Sequence, residues 1–142
     1  MNIDSIRNGI VIDHIKACKG MDLYALLELD TLDCSIALIK NASSKKVGKK
    51  DIIKIDGCME IDWDVLGYSD PEVTINIIKD GERIKKFHPR LPEKLVNVIK
   101  CQNPRCITSV EQEIPQIFKL TDSEKRIYRC AYCESKAKQP KH

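Results

Sequence analysis

Three features of the sequence predict an α+β chain built in two parts. Short β-branched runs and two helical segments follow one another as strand, helix, strand, strand, helix, strand; an Asp-Gly pair then adds a hairpin strand; and four cysteines form two close pairs in the last third. The first two features predict a ferredoxin-like antiparallel sheet with both helices on one face. The third predicts a small all-β, zinc-ribbon-like domain.

The elements follow in order. Gly9 to Ile15 (GIVIDHI) is short and β-branched, which favours a buried strand, with Asp13 and His14 as polar exceptions. Met21 to Asp30 places Leu23, Leu26 and Leu27 at i, i+3 and i+4, the period of a helix with one buried face. Cys34 to Lys40 reads as the second strand, Asn41 to Gly48 as a polar loop, and Asp51 to Asp56 as the third strand. Asp62 to Tyr68 reads as the second helix, with Ile61, Val65 and Leu66 turned inward. Val73 to Lys79 and Glu82 to Phe87 flank Asp80-Gly81, a strong two-residue hairpin signal.

Two prolines in His88 to Pro92 (HPRLP) cannot continue a central strand, so the domain boundary is expected there, giving domains 1–92 and 93–142. In the second, Leu95 to Lys100 leads a strand into the first cysteine pair. Ile114 to Leu120 and Lys125 to Arg129 form a hairpin around Thr121 to Glu124 that returns the chain to the second pair. Residues 135–142 are polar and basic without apolar anchors, the composition of a disordered tail. Internal repeats are absent.

Charge narrows the function classes. The formal charge is +3, and four thiolates with one divalent metal, −4 and +2, leave +1. Residues 1–92 carry 14 Lys/Arg against 15 Asp/Glu, and 93–142 carry 10 against 6, with Lys136, Lys138 and Lys141 in the tail. Neither half has the concentrated basic face of a dedicated nucleic-acid binder. No stretch approaches the ~20 apolar residues of a membrane span. The first residues lack a secretory signal and seven cysteines is an odd number, so the expected compartment is the reducing cytosol, where thiolates bind metal instead of pairing.

Cys101-x4-Cys106 and Cys130-x2-Cys133 have the spacing of two metal knuckles separated by a hairpin. Four thiolates closing a tetrahedron leave no position for water or substrate, so the expected site is structural, with one Zn²⁺ per chain. Rubredoxin-like iron uses the same donors, and spacing leaves it open. About fifty residues make too small an apolar core to stand alone, and structural zinc contributes ~10–16 kcal/mol in finger peptides, so the metal is expected to hold this domain together. Cys18, Cys34 and Cys58 show no paired spacing, and Cys34 is read as core.

Nucleotide-loop and nucleophile-elbow motifs are absent, and no nucleophile–base pair emerges from local sequence. What remains is a polar set in the first domain. Lys50 and Lys54 fall on one strand face about 13 Å apart along the backbone, a spacing suited to an extended anion. Asp13 and His14 on a neighbouring strand add an acceptor and a donor, and Lys86 another cation. The same residues also read as solvated charges on an exposed sheet, and composition alone does not choose.

Gly9-Ile-Val-Ile-Asp-His-Ile15, Gly48-Lys-Lys-Asp-Ile-Ile-Lys-Ile55, Arg90-Leu-Pro-Glu93 and the cysteine pattern together resemble, in order and across nearly the whole chain, the regulatory chains of aspartate carbamoyltransferase. The resemblance implies a non-catalytic subunit. Its N-terminal domain would bind CTP or UTP as inhibitors and ATP as activator, and would form regulatory dimers; its zinc domain would dock on catalytic trimers in pyrimidine biosynthesis. It further implies that Asp13 accepts from ribose hydroxyls, Lys54 contacts ribose and base, and His14 and Lys86 contact the triphosphate. Lys50 would lie near the phosphates, Ile6 and Val11 would line the pocket, and Asn76 and Ile78 would border the base, with backbone groups near Ile78 and Gly81 reading its edges. Asn103, Arg105 and Glu134 would face the catalytic chain. Gly81 and Arg83 stand where the family has a hydrophobic or aromatic side chain, and Arg105 stands where it has a small amide. In a regular hairpin Lys86 and Asn76 point to opposite faces, so a shared site requires a bulge. The alternative from another class is a zinc-ribbon module that binds nucleic acid.

Overall fold

A computed structural model describes residues 6–44, 48–58 and 60–137. The chain divides into two compact units, residues 1–90 and 91–142.

The first unit is a five-stranded antiparallel sheet: β1 (Gly9–Lys16), β2 (Ser35–Ser44), β3 (Gly48–Asp56), β4 (Thr74–Lys79) and β5 (Glu82–Phe87), in the order β2-β3-β1-β4-β5. Helix α1 (Gly20–Leu26) connects β1 to β2, and α2 (Trp63–Ser69) connects β3 to β4. The first four strands thus have the ferredoxin-like order, and β5 extends one edge. Ile10, Ile12, Ile15, Ile53, Ile55 and Ile75 are fully buried on one sheet face. Leu23 of α1, Leu27 at its C-terminal cap, and Val65 and Leu66 of α2 are buried with them. Burying each such isoleucine contributes about 1.5–3 kcal/mol, so this apolar layer holds the sheet against its helices.

Local chemistry sets the element ends. The Asp62 carboxylate accepts from Val65 N–H at 3.1 Å and caps α2. Asp80 and Gly81 both adopt positive φ, 53° and 80°, as a tight hairpin turn requires. Three expectations change. Leu26 is 42% exposed, because α1 ends there and the buried stripe passes through Leu23 and Leu27. The segment Asn41 to Ser44 is not loop but the end of β2, its polar side chains being compatible with a sheet edge; residues 45–47 of the expected loop lie outside the described residues. Ile61 is half-buried just ahead of α2.

Asp51, in β3, has no counterpart in the sequence reading. Its side chain is fully buried, and its carboxylate accepts from Gly20 N–H at 2.8 Å and Asn41 N–H at 3.0 Å. Asn41 belongs to a bulge in β2 between Ile39 and Ala42, and Gly20 opens α1, so one carboxylate ties a bulge to a helix start. A Cβ on Gly20 would meet Asp51 Oδ2 at 2.8 Å, so glycine lets the backbone reach the carboxylate. Burial works to raise the Asp51 pKa, but backbone N–H donation from Asn41, Gly20 and Cys18 outweighs it and holds the carboxyl below its ordinary value.

The second unit is a three-stranded sheet, β6 (Lys94–Val96), β7 (Ile117–Asp122) and β8 (Ile127–Cys130), in that order. Leu95, Phe118 and Tyr128 form its small core, and the Tyr128 hydroxyl donates to Pro92 C=O at 2.6 Å. The strand expected over Leu95 to Lys100 stops at Val96, where Asn97 takes φ 59°. The hairpin strand starts later and runs further than expected, through Asp122, whose side chain accepts from Glu124 and Lys125 N–H, both at 3.1 Å, to start the turn. A single helical turn, α3 (Ile107–Val110), follows Cys106 and adds to the expected all-β elements. Of the expected tail, residues 138–142 lie outside the described residues. Lys136, by contrast, bridges to Arg129, and Ala137 N–H donates to Tyr128 C=O, so the chain before them is tied to β8.

Asp51→Asn should destabilise the first unit by about 3 kcal/mol in urea unfolding, the scale of hydrogen bonds to a charged acceptor. Since the folded pKa lies below the unfolded value of ~3.9, the carboxylate's contribution is complete above that value and fades as pH falls toward the folded pKa. Repeating the unfolding between about pH 3 and 6 should therefore show a shallower acid slope for the variant; an unchanged slope would mean that Asp51 does not carry it.

Candidate functional sites

Two constellations stand out, one in each unit. On the sheet face away from the helices, strand register aligns Lys54, Val11, Asn76 and Lys86 in one cross-strand row. Val11 pairs with Lys54 of β3 and with Asn76 of β4, and Asn76 pairs with Lys86 of β5. At ~4.8 Å per strand gap the row spans about 14 Å. Its last member depends on a bulge. Ile78 pairs with Arg83 but Ile77 with Lys85, so Ile84 is the extra residue, and every residue beyond it changes face relative to a regular hairpin. Lys85 turns to the other face, its Nζ 4.8 Å from the Phe87 ring centre. Lys86 is fully on the row.

A second bulge shapes the next level. Ile12 pairs with Ile53 and Ile15 with Asp51, so Asp13 and His14 together face the single residue Ile52. His14 takes φ 60°, and the displacement keeps Ile15 in the core while Asp13 and His14 stay half-buried. The Asp13 carboxylate holds Lys50 Nζ at 2.8 Å and accepts from His14 N–H at 2.6 Å. Burial pushes the Asp13 pKa up, but Lys50 and the His14 N–H prevail and leave it below the ordinary carboxylate value. His14 Nδ1 is shielded from solvent and, among the described residues, has no hydrogen-bond partner, lying 3.8 Å from Asp13. An unpaired nitrogen in such a position costs free energy that a ligand could recover.

The sequence-named residues therefore converge unevenly. Lys54, Val11, Asn76 and Lys86 share the row, and Asp13, His14 and Lys50 share the adjoining level. Asn76 is buried and donates through Nδ2 to Val11 C=O at 3.4 Å, so its amide braces the sheet. Ile78 pairs with Gly9 one row on, and Ile6 is half-buried ahead of β1. The Gly81 N–H donates to Arg7 C=O at 2.9 Å, so that donor is occupied. With three lysines against one carboxylate, the face suits a polyanion.

In the second unit the four sulfurs of Cys101, Cys106, Cys130 and Cys133 lie within 4.8 Å of one another. Cys101 and Cys133 are 3.6 Å apart, and Cys106 and Cys130 are 3.7 Å apart. A tetrahedron with metal–sulfur bonds of about 2.3 Å sets its sulfurs about 3.8 Å apart, so the cluster fits a four-thiolate metal centre. Its polar surroundings fit thiolates too. The Thr108 hydroxyl donates to Cys106 Sγ at 3.1 Å, and the Ser135 hydroxyl lies 3.2 Å from Cys133 Sγ. Ser135 draws the Cys133 pKa down to about 6, whereas burial pushes Cys101 up to about 12. Four adjacent thiols ionise together only with a cation among them.

Asn103 belongs to the same structure. Its Oδ1 accepts from Arg105 N–H at 3.0 Å, its Nδ2 donates to Ser135 Oγ at 3.3 Å, and its C=O accepts from Cys106 N–H. It shapes the knuckle from within. Arg105 and Glu134 are exposed, and the Glu134 C=O accepts from Arg129 at 3.1 Å. Sequence reading missed Thr108 and Ser135, although each sits two residues after a cysteine, where a hydroxyl can turn back onto sulfur.

Comparison with known proteins agrees with this division. Residues 1–90 match the family model for the aspartate carbamoyltransferase regulatory chain, allosteric domain, and residues 93–141 match that for its metal binding domain. A Clostridium botulinum protein named aspartate carbamoyltransferase regulatory chain is 52% identical over 134 residues, 94% of this chain and 92% of its own length. A Clostridium acetobutylicum protein of the same name shows the same identity and coverage. One from Bifidobacterium longum is 45% identical over 138 residues, 97% of this chain and 99% of its own. Among the described residues, no helix is long and apolar enough to cross a membrane.

Elemental analysis of the purified chain should find close to one metal ion per chain, and Cys106→Ser should reduce this to near zero and unfold the second unit. A Cys106→Ser chain with wild-type metal content and stability would remove the cluster as the metal centre.

Proposed function

The chain belongs to the family of aspartate carbamoyltransferase regulatory chains, and from that premise we propose that it binds nucleoside triphosphates through residues 1–92 and docks on catalytic trimers through residues 93–142. It is a non-catalytic regulatory subunit. The single observation that supports nucleotide binding is the cross-strand row with its adjoining Asp13–His14–Lys50 level, a polar set converging on one sheet face. In this reading Lys50, Lys86 and His14 meet the triphosphate, Asp13 accepts from the ribose hydroxyls, and Lys54 reaches ribose and base. Val11 and Ile6 line the pocket, and Asn76 and Ile78 border the base.

Phosphate and ribose are common to CTP, UTP and ATP, so the lysines supply affinity without choosing between them. Opposite effects, inhibition by CTP or UTP and activation by ATP, require each nucleotide to favour a different quaternary state, since equal affinity for both shifts nothing. A coupling of ~1–3 kcal/mol suffices for a several-fold change in activity. The base must therefore carry the signal.

The four-thiolate cluster would hold Zn²⁺, which closes the tetrahedron and organises the knuckles. Cys101, Cys106, Cys130 and Cys133 would supply the ligands, with Thr108 and Ser135 stabilising the sulfurs. Asn103 would keep the first knuckle in shape, while Arg105 and Glu134 would meet the catalytic chain. The assembled enzyme, with regulatory chains paired as dimers, would work in the cytoplasm in pyrimidine biosynthesis.

Titration calorimetry with CTP and ATP tests the first unit. Lys54→Ala and Asp13→Ala should each weaken both nucleotides by about tenfold or more, the scale of one charge-assisted hydrogen bond. Salt-sensitive RNA or DNA binding without any nucleotide response would instead favour a nucleic-acid module. The bulge gives a sharper contrast: Lys86→Ala should weaken nucleotide binding, whereas Lys85→Ala should leave it within about twofold, and the reverse order would refute the register-based site. Catalytic trimers assayed with and without this chain, across CTP, UTP and ATP, test regulation directly. Unchanged nucleotide response on adding the chain would overturn it.

A further inference from the structure

Composition spreads the cations of the second unit along its sequence, but strand pairing gathers four of them. Lys94 pairs with Lys119, Lys119 with Arg129, and Arg129 with Lys136 through an isolated bridge, so the four lie in one row across the sheet. At ~4.8 Å per gap the row is about 14 Å long. All four are exposed, on the face opposite the Leu95, Phe118 and Tyr128 core. Among the described residues none of them is ion-paired with a carboxylate; Arg129 donates to the Glu134 C=O at 3.1 Å. Asp122, the acid in the next row, is held by the N–H groups of Glu124 and Lys125. Like charges set directly opposite one another destabilise a sheet, so a unit with a small core carries an uncompensated repulsion.

An apolar row runs beside the cationic one. Val96 pairs with Ile117, and Ala131 N–H donates to Ile117 C=O at 2.8 Å. Val96 is 47% exposed, and Ala131 is exposed beside it. Apolar contact next to charge is the make-up of a protein interface, with its dry centre and polar rim. The strand positions of this face carry no aromatic ring, so it lacks the stacking platform of a single-stranded nucleic-acid site.

We propose that this outer sheet face is a docking surface for a protein that presents a strip of carboxylates beside apolar side chains. The inference rests on the reading above, in which that protein is the catalytic chain. Val96, Ile117 and Ala131 bury against its apolar part, while Lys94, Lys119, Arg129 and Lys136 meet its carboxylates. The repulsion within the row is then relieved only on assembly. A charge row of this kind sets chiefly the association rate and its salt dependence, and the apolar row the dissociation rate.

The experiment measures association of the full metal-loaded chain with immobilised catalytic trimers, from about 0.05 to 0.5 M salt, a range over which screening shortens sharply. Lys119→Gln should slow association about fivefold at low salt and flatten its salt dependence, with dissociation within about twofold. The same substitution should raise the melting temperature of the free chain by about 2 °C, because it removes the central like charge. Weaker docking from a more stable chain separates an interface role from damage to the fold. Val96→Ser should speed dissociation several-fold. Lys100→Gln, exposed in the same unit but outside the sheet, removes the same charge and should change association less than about twofold. Wild-type association and salt response in both Lys94→Gln and Lys119→Gln, or an equal effect from Lys100→Gln, would overturn the proposal while leaving docking itself intact. Trimers that capture no wild-type chain would overturn docking and this surface together. Normal assembly by Lys119→Gln with loss of binding to a single-stranded oligonucleotide would assign the row to nucleic acid instead.

Discussion

Side chains on a β-strand alternate between faces with period two, and that constraint decides which groups in the first unit can meet. Two single-residue departures from it build the polar face. At Ile84 an extra residue in β5 brings Lys86 opposite Asn76 and sends Lys85 to the aromatic side near Phe87. At Asp13–His14 an extra residue in β1 lets Ile15 return to the core while both polar groups remain outside it. Remove either irregularity and the hydrophobic pattern still makes a sheet, but the polar groups no longer converge. The core therefore specifies the sheet, and the bulges specify the site.

Bulges need support, because they leave backbone groups without ladder partners. Asp51 supplies it in β2, its buried carboxylate accepting from Asn41 N–H in the bulge and from Gly20 N–H at the start of α1. A buried charge is ordinarily unfavourable, and here the backbone donors offset the burial, as the lowered pKa records. The second unit solves its problem differently. Leu95, Phe118 and Tyr128 are few for a core, and the four cysteines bring the two knuckles together where apolar burial would not.

How much of this was legible in the residues follows from the range of the interactions involved. The Asp-Gly turn, the β-branched runs and the paired cysteines act over a few positions, and each led to the element it marks. Leu26 fitted a helical stripe by spacing, yet the helix stops at that residue and leaves it exposed. The polar Asn41 to Ser44 looked like loop because edge-strand pairing is decided by β3, not by the segment itself. Asp51 looked like any strand carboxylate, since nothing local says that Gly20 and Asn41 will aim their N–H groups at it. Strand alternation picked out the polar residues and the resemblance to a known family gave them roles; only the register could say how Lys86 joins them.

The Asp13–Lys50 pair bears on how such a face would accept a nucleotide. Lys50 neutralises Asp13 at 2.8 Å, so a phosphate that recruits Lys50 takes a partner from a half-buried carboxylate. That exchange would leave the half-buried carboxylate with the His14 N–H alone, so the phosphate contact comes at the cost of an ion pair. A ribose resolves the conflict, because its hydroxyls can donate to Asp13 as the lysine turns toward the phosphates. Inorganic triphosphate offers the anion without the donors. In the proposed complex, then, the carboxylate beside the cationic cluster is not a flaw in an anion site but the feature that makes it prefer nucleotides to bare polyphosphate, through an exchange of partners that only a ribose-linked phosphate completes.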